Sequence, residues 1–244
     1  LDTVDKVRDQ MTTVEHFVAL EGGKPGWLDY EQLLAASDDV FERPPIAEGD
    51  LLSINYTSGT TSRPKGVMIT HRNAWVNAVG TLAHLPMTPA DRFLWSLPMF
   101  HANGWTYTWI VTAAAALHVC LRQVDATTVY RLVNQERITL LCAAPTVLIA
   151  IASGPEEGRM ALRRGVRVAT AGAPPAAATI ERMEGELGWT LTQVYGLTET
   201  APFISICAPL PEHDALEPGE RARIKARQGV ELMTSGELRV VDEE

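Results

Sequence analysis

From residue 51 to residue 194 the chain alternates apolar runs of strand length with segments of helical period, and this rhythm constrains the fold more than any other feature. Residues 51–56, 93–97, 117–121, 138–143, 166–170 and 190–194 read as strands. Pro98 and Pro145 close two of them. Residues 73–85 read as a helix with Trp75, Val79 and Leu82 on one face. Asp125 is placed to cap a helix running to about residue 135, with Val129, Leu132 and Val133 inward. A further helix is expected between AGAPP and about residue 187, with proline at its first position. Strand, loop, helix, strand in this order predicts an α/β fold with a mainly parallel sheet flanked by helices. Beyond residue 203, ISICAP, GVELM and GELRVV read as short strands. The expected layout is an α/β core over residues 1–203 and a β-rich segment of the same domain over 204–244.

Composition narrows the function classes. The net charge is −9 and no block of Lys or Arg occurs, which argues against a nucleic-acid partner. Cys120, Cys142 and Cys207 are few, far apart and set in apolar or strand-like contexts. They read as buried thiols of a reduced, cytoplasmic protein. No CxxC or HExxH is present, so no metal cage is visible. The run at 109–121 falls short of the roughly 20 residues that a transmembrane helix needs. The charged N-terminus carries no signal-peptide pattern. It lacks an initiator Met, and GELRVVDEE stops after a strand-like run, so both ends read as cut from a longer chain. Faces exposed by such a cut are expected to drive self-association or homo-oligomer formation.

In an open parallel sheet, ligands gather at the carboxyl ends of the strands. Four unusual stretches are expected there: YTSGTTSRPKG (56–66), PMFHANGW (98–105), AGAPP (171–175) and YGLTET (195–200). Four such loops on one sheet edge imply one site. In the first, Gly59 and Gly66 permit tight turns and close backbone approach. Thr57, Ser58, Thr60, Thr61 and Ser62 offer hydroxyls, and Lys65 adds a point charge. That set describes a polyphosphate cradle. It is not a P-loop: counted from Gly59, the G-K-[ST] positions hold Pro64, Lys65 and Gly66, and VMITHRN follows in place of a helix.

YTSGTTSRPKG resembles the signature loop of the adenylate-forming (AMP-binding) superfamily: acyl-CoA synthetases, peptide-synthetase adenylation domains and luciferases. Ser62 stands where the usual form has glycine. YGLTET resembles the second signature of that family and AGAPP its adenine-side loop. PMFHANGW resembles a loop of its fatty-acid and aryl-acid CoA ligases, and GEL at 236–238 the start of a later motif. The resemblance, in family order across residues 56–238, implies that the chain is a fragment of the large N-terminal domain of an acyl-CoA synthetase. Such enzymes join a carboxylic acid, here a fatty or aromatic one, to ATP with Mg²⁺, and pass the acyl group to coenzyme A.

The same resemblance implies roles. Thr57, Ser58, Gly59, Thr60, Thr61 and Lys65 would hold the β- and γ-phosphates. Gly172, Ala173 and Pro174 would line the purine. Tyr195 would stack on adenine beside Gly196, and Thr198 would bond the α-phosphate. Glu199, with Thr57, would hold Mg²⁺. His101 would meet the acid carboxylate, Trp105 would gate the acyl pocket, and Gln193 would face it. His101, Lys65, Thr198 and Glu199 are the expected catalytic set. His16, His71, His84, His118 and His213 show no partner spacing and read as structural or surface residues. The family's ribose-binding aspartate, its C-terminal lid domain and that domain's lysine are expected outside this stretch, so turnover by the fragment alone is expected to be impaired. Two other readings stay open: another adenylate-former, such as an adenylation domain or luciferase-like enzyme, and a non-catalytic nucleotide-binding module.

Overall fold

The structure is a computed structural model that describes residues 2–58 and 63–242. The chain divides into two compact units, Leu1–Ile46 and Ala47–Glu244. In the first, two short parallel strands, Val18–Ala19 and Leu28–Asp29, lead into a helix at Tyr30–Ala36. Asp29 caps that helix by accepting from the Gln32 N–H at 3.0 Å. Ala19 is its buried apolar residue. Polar ties hold the rest: Lys24 pairs with Asp2 at 2.8 Å and also with Asp5, and the Trp27 Nε1–H donates to Asp5 at 2.9 Å.

The second unit opens with an antiparallel ribbon, β1 (Leu51–Thr57) paired with β2 (Lys65–Thr70). It continues with β3 (Arg92–Trp95), β4 (Leu117–Cys120), β5 (Leu140–Cys142), β6 (Arg167–Thr170), β7 (Thr190–Gly196), β8 (Phe203–Cys207) and β9 (Val230–Glu231). These last strands form a seven-stranded sheet in the order β9-β8-β7-β6-β5-β3-β4. The pairs from β4 to β7 are parallel, and β8 and β9 add antiparallel.

Side-chain alternation along the strands explains the two layers. Leu94, Leu141, Val168 and Leu191 face one way, onto the helices Ala126–Gln135, Pro145–Ala152 and Ala177–Gly185. Val129, Leu132, Val133, Leu148, Ile151, Ile180 and Met183 meet them there. Phe93, Trp95, Leu140, Cys142, Ala169 and Val194 face the other way. Ala78 of the helix His71–His84 and Tyr107, Ile110 and Val111 of the helix Tyr107–Ala113 cover that side. Each large side chain so buried contributes about 1.5–3 kcal/mol, so the paired apolar layers orient the sheet.

The helix at Ala126–Gln135 forms as expected, with Asp125 accepting from the Thr128 N–H at 2.9 Å and Val129, Leu132 and Val133 buried. Other expectations need correction. The strand before the glycine-rich loop does not join the parallel sheet, because β1 pairs antiparallel with β2. In the helix His71–His84 the buried face is Ala74, Asn77, Ala78, Gly80 and Thr81, while Trp75 and Val79 are exposed. Small residues there let the helix lie close: a Cβ on Gly80 would stand 2.0 Å from the Thr234 hydroxyl. The helix after AGAPP starts at Ala177, so Pro174 precedes it and is not its first residue. Residues 204–244 include a helix, Pro218–Lys225, and residues 236–241 form no strand. The local cues fit that helix: proline at its start, Glu220 early, and Arg223 and Lys225 late. Cys120 is exposed, whereas Cys142 and Cys207 are buried as expected. On the ribbon, Ile54, Tyr56 and Met68 are exposed apolar side chains.

At the amino ends of the parallel strands, Asp91 is a polar anchor. Its carboxylate accepts from the Thr139 hydroxyl at 2.7 Å and the Thr88 N–H at 2.8 Å, and pairs with Arg167. Burial acts to raise its pKa, but the bonds from Thr139 and Thr88 and the Arg167 charge outweigh it and hold the group below the ordinary 3.8. Because the folded value is depressed, its contribution is fully present above pH 3.8 and is lost as the pH falls through the folded value. Asp91→Asn should cost about 1–3 kcal/mol in denaturant unfolding near neutral pH. The gap between parent and variant should narrow as the pH is lowered past 3.8.

Candidate functional site

The carboxyl ends of β3, β6 and β7 face a cavity of about 500 Å³. The open end of the ribbon supplies one wall, through Thr57 and Ser58 at the end of β1 and Lys65 at the start of β2. Thr57 and Lys65 are register partners, so their backbones lie side by side. Gly59, Thr60, Thr61 and Ser62 lie outside the described residues.

The opposite wall comes from β7 and the connection to β8. Gly196, Leu197, Thr198 and Glu199 line the cavity, with Pro202 and Phe203 beside them. This connection is tight. The Leu197 N–H donates to the Thr200 hydroxyl at 2.8 Å and to the Pro202 carbonyl at 3.1 Å, and the Thr200 hydroxyl also donates to Pro202. A Cβ on Gly196 would stand 1.9 Å from the Pro202 carbonyl oxygen, so no larger residue fits there. The result is a short turn that presents Thr198 and Glu199 to the cavity.

Ala171 and Gly172, just past β6, form a third side. Gly172 has φ of +89°, and nothing lies within 4 Å of where its Cβ would stand. Its backbone is thus bare toward the cavity, as close approach of a flat ligand requires.

The fourth side is the segment after β3. His101, Ala102 and Trp105 line the cavity. Residues 102–106 all have positive φ: Ala102 40°, Asn103 45°, Gly104 60°, Trp105 51° and Thr106 65°. A left-handed turn of this kind costs roughly 1–2 kcal/mol per L-residue, so its surroundings must hold it. Gly104 sits against the Trp95 indole, where a Cβ would stand 2.6 Å away. The Thr108 hydroxyl donates to the Asn103 carbonyl at 2.9 Å. Trp105 is buried and meets Phe203 edge-on, with centroids 6.1 Å apart.

Behind this turn, Trp95 Nε1–H donates to His118 Nδ1 at 2.9 Å. His118 Nε2 therefore carries the ring proton and donates to the Thr112 hydroxyl, 3.1 Å away, which in turn donates to the Thr108 carbonyl. Burial pushes the His118 pKa down and favours that neutral form. His118 is thus a structural residue.

The cavity brings Thr57, Ser58, Lys65, His101, Trp105, Gly172, Gly196, Thr198 and Glu199 together. Ala173, Pro174, Tyr195 and Gln193 are not among its lining residues. Tyr195 is exposed on β7. Gln193 is buried, with its amide donating to Gln228 at 3.3 Å. Sequence reasoning assigned no role to Ala102, Ala171, Leu197, Pro202 and Phe203, which also line the cavity. Ala102, Ala171 and Leu197 lie within the quoted loops, whereas Pro202 and Phe203 lie just past YGLTET.

Among the described residues no three or more His, Cys, Asp or Glu side chains cluster as a metal cage. The cavity instead combines one carboxylate, Glu199, with the hydroxyls of Thr57, Ser58 and Thr198 and the Lys65 ammonium. That donor set fits Mg²⁺ carried largely by phosphate oxygens and water.

The chain is 45% identical over 216 residues to probable acyl-activating enzyme 9 of Arabidopsis thaliana, covering 87% of this chain and 38% of that protein. It is 42% identical over 221 residues to the acetate–CoA ligase CCL3 of Humulus lupulus, covering 90% of this chain and 39% of that one. The chain thus spans well under half the length of these relatives. The N-terminal domain of FACL13 from Mycobacterium tuberculosis has the same fold, with a TM-score of 0.75 at 24% identity over 94% of this chain and 55% of that one. So does o-succinylbenzoate CoA synthetase from Bacillus subtilis, solved with ATP and magnesium ion, at 0.74 and 21% over 96% of this chain and 48% of that one. The family of AMP-binding enzymes matches residues 2–244. The chain belongs to that family.

Proposed function

We propose that this chain is the nucleotide-holding part of an acid–CoA ligase that activates a carboxylic acid with ATP and then forms its CoA thioester. The observation that carries this reading is the single cavity in which Lys65 and the hydroxyls of Thr57 and Ser58 stand across from Thr198 and Glu199, with His101 at the side. In the first step a carboxylate oxygen attacks the α-phosphorus, a C–O–P link forms, and the bond to pyrophosphate breaks. Two anions must meet, so charge neutralisation and alignment dominate the barrier. Lys65, Thr57 and Ser58 hold the departing phosphates. Thr198 bonds the α-phosphate, and His101 donates to the incoming carboxylate. Gly172 bears on the purine; Ala173, Pro174 and Tyr195, which stand outside the cavity lining, are proposed to complete that side. Glu199 with Thr57 would hold Mg²⁺, which when bound would supply further neutralisation of the phosphates. In the second step the thiol of coenzyme A displaces AMP from the acyl carbon.

Two relatives named for their acids, the acetate–CoA ligase and the 2-methylpropanoate–CoA ligase of Humulus lupulus, favour a short acid. The broader expectation of a fatty or aromatic acid stands as the competing range. Buried Trp105 and Phe203 at the cavity wall support a short acyl space. No helix among the described residues is long and apolar enough to cross a membrane. The proposed compartment is the cytoplasm, although one relative, probable acyl-activating enzyme 5 of Arabidopsis thaliana, is named as peroxisomal.

The test is acid-dependent ATP–pyrophosphate exchange by the full reading frame that contains this chain, over short, medium, long and aromatic acids. Exchange should be stimulated most by short acids. Lys65→Ala should lower it by about 100-fold. Glu199→Gln should shift the Mg²⁺ requirement to higher concentration while leaving the melting temperature near that of the parent. ATP binding with no exchange for any acid would overturn the ligase reading and leave a nucleotide-binding module.

A further inference from the structure

The left-handed turn and the ribbon are joined by a small polar cluster. Asn103 Oδ1 accepts from the Asn55 amide at 2.7 Å and from the Ser53 hydroxyl at 2.9 Å. The Asn55 amide also reaches the Ser53 hydroxyl at 3.3 Å. Asn55 is buried, an amide in the middle of a strand that is otherwise largely apolar. Asn103 and Asn55 border a second, much smaller void that shares Ala102, Thr198 and Pro202 with the main cavity. The cluster therefore adjoins the main cavity and ties the turn to β1.

Its placement has a mechanical consequence. Ser53 and Asn55 sit on β1, whose end carries Thr57 and Ser58. Asn103 is two residues from His101 and from Trp105. Its φ of 45° is a conformation that asparagine tolerates better than most residues. One carbonyl oxygen thus receives two donors from the ribbon while its own backbone stands in the strained turn. We propose that Asn103 is a positioning residue: through Asn55 and Ser53 it fixes the segment bearing His101 and Trp105 against the ribbon bearing Thr57, Ser58 and Lys65. It thereby sets the reach between the bound carboxylate and the α-phosphate. The inference rests on the ligase reading given above.

Two substitutions separate this role from simple folding. Asn103→Gly keeps the positive φ at no steric cost but deletes the acceptor. Asn103→Asp restores an acceptor at the same place. In the full reading frame, Asn103→Gly should lower kcat for acid-dependent exchange by about 10- to 100-fold, with KM for ATP within about twofold of the parent. Asn103→Asp should recover most of the loss. Asn55→Ala should resemble Asn103→Gly, and the double variant should lose little more, as expected of residues that act as one unit. Amide hydrogen exchange on the same proteins provides the independent readout: residues 101–106 should exchange faster in Asn103→Gly and in Asn55→Ala. Unchanged exchange at 101–106 would overturn the link whatever the kinetics give. Faster exchange with a parental kcat, or a fall in melting temperature alone, would reduce the cluster to a structural tie. A parent enzyme with no acid-dependent activity would sink the ligase reading, and the positioning role with it, while the amide data would still decide whether the link exists.

Discussion

Parallel pairing of five adjacent strands is the constraint on which the rest depends. It sends the chain away from the same sheet edge after each strand, so the segments after β3, β6 and β7 emerge as neighbours although they are far apart in sequence. The pairing is held by two buried faces at once. Phe93 and Trp95 look to one side and Leu94 to the other; Leu140 and Cys142 look one way and Leu141 the other. A one-residue slip would exchange the two layers, so register is strongly specified. Given that register, the positions of His101, Gly172, Thr198 and Glu199 follow from where the strands stop.

The ribbon is a different device for the same end. Antiparallel pairing returns the chain beside itself, which puts Thr57 and Lys65 opposite one another at the mouth of the loop. Hydroxyls and a cation are thereby delivered to the cavity from outside the sheet. Close fits then shape the remainder. Gly196 allows the Pro202 carbonyl to approach, and Gly104 allows the strained turn to rest on Trp95. The polar bonds around Asn103 and Thr108 hold that turn in a backbone conformation that isolated L-residues avoid.

Much of this was legible in the sequence because it is local. The apolar runs announced the strands, Asp125 announced its helix, and the quoted loops announced the site. What was not legible depended on partners distant in the chain. Leu51 to Tyr56 has the same apolar look as a sheet strand, and only its pairing with β2 assigns it to a ribbon. Trp75 and Val79 look like a buried face, but the small residues Ala74, Ala78 and Gly80 permit closer packing and take the inside. Asn55 carried no reading in the sequence: its burial and its bond to Asn103, 48 positions away, appear only in the fold. The helix Pro218–Lys225 carried legible end signals but was obscured by the short strand-like runs around it.

The central claim is that ribbon mouth, strand ends and the turn after β3 form one nucleotide site. The most direct measurement is amide hydrogen exchange of this chain with and without saturating ATP and Mg²⁺. The account predicts that protection appears together at residues 57–66, 171–172 and 195–200, with a smaller effect at 101–105. Protection confined to one of these stretches, or to none of them while ATP is demonstrably bound, would contradict it.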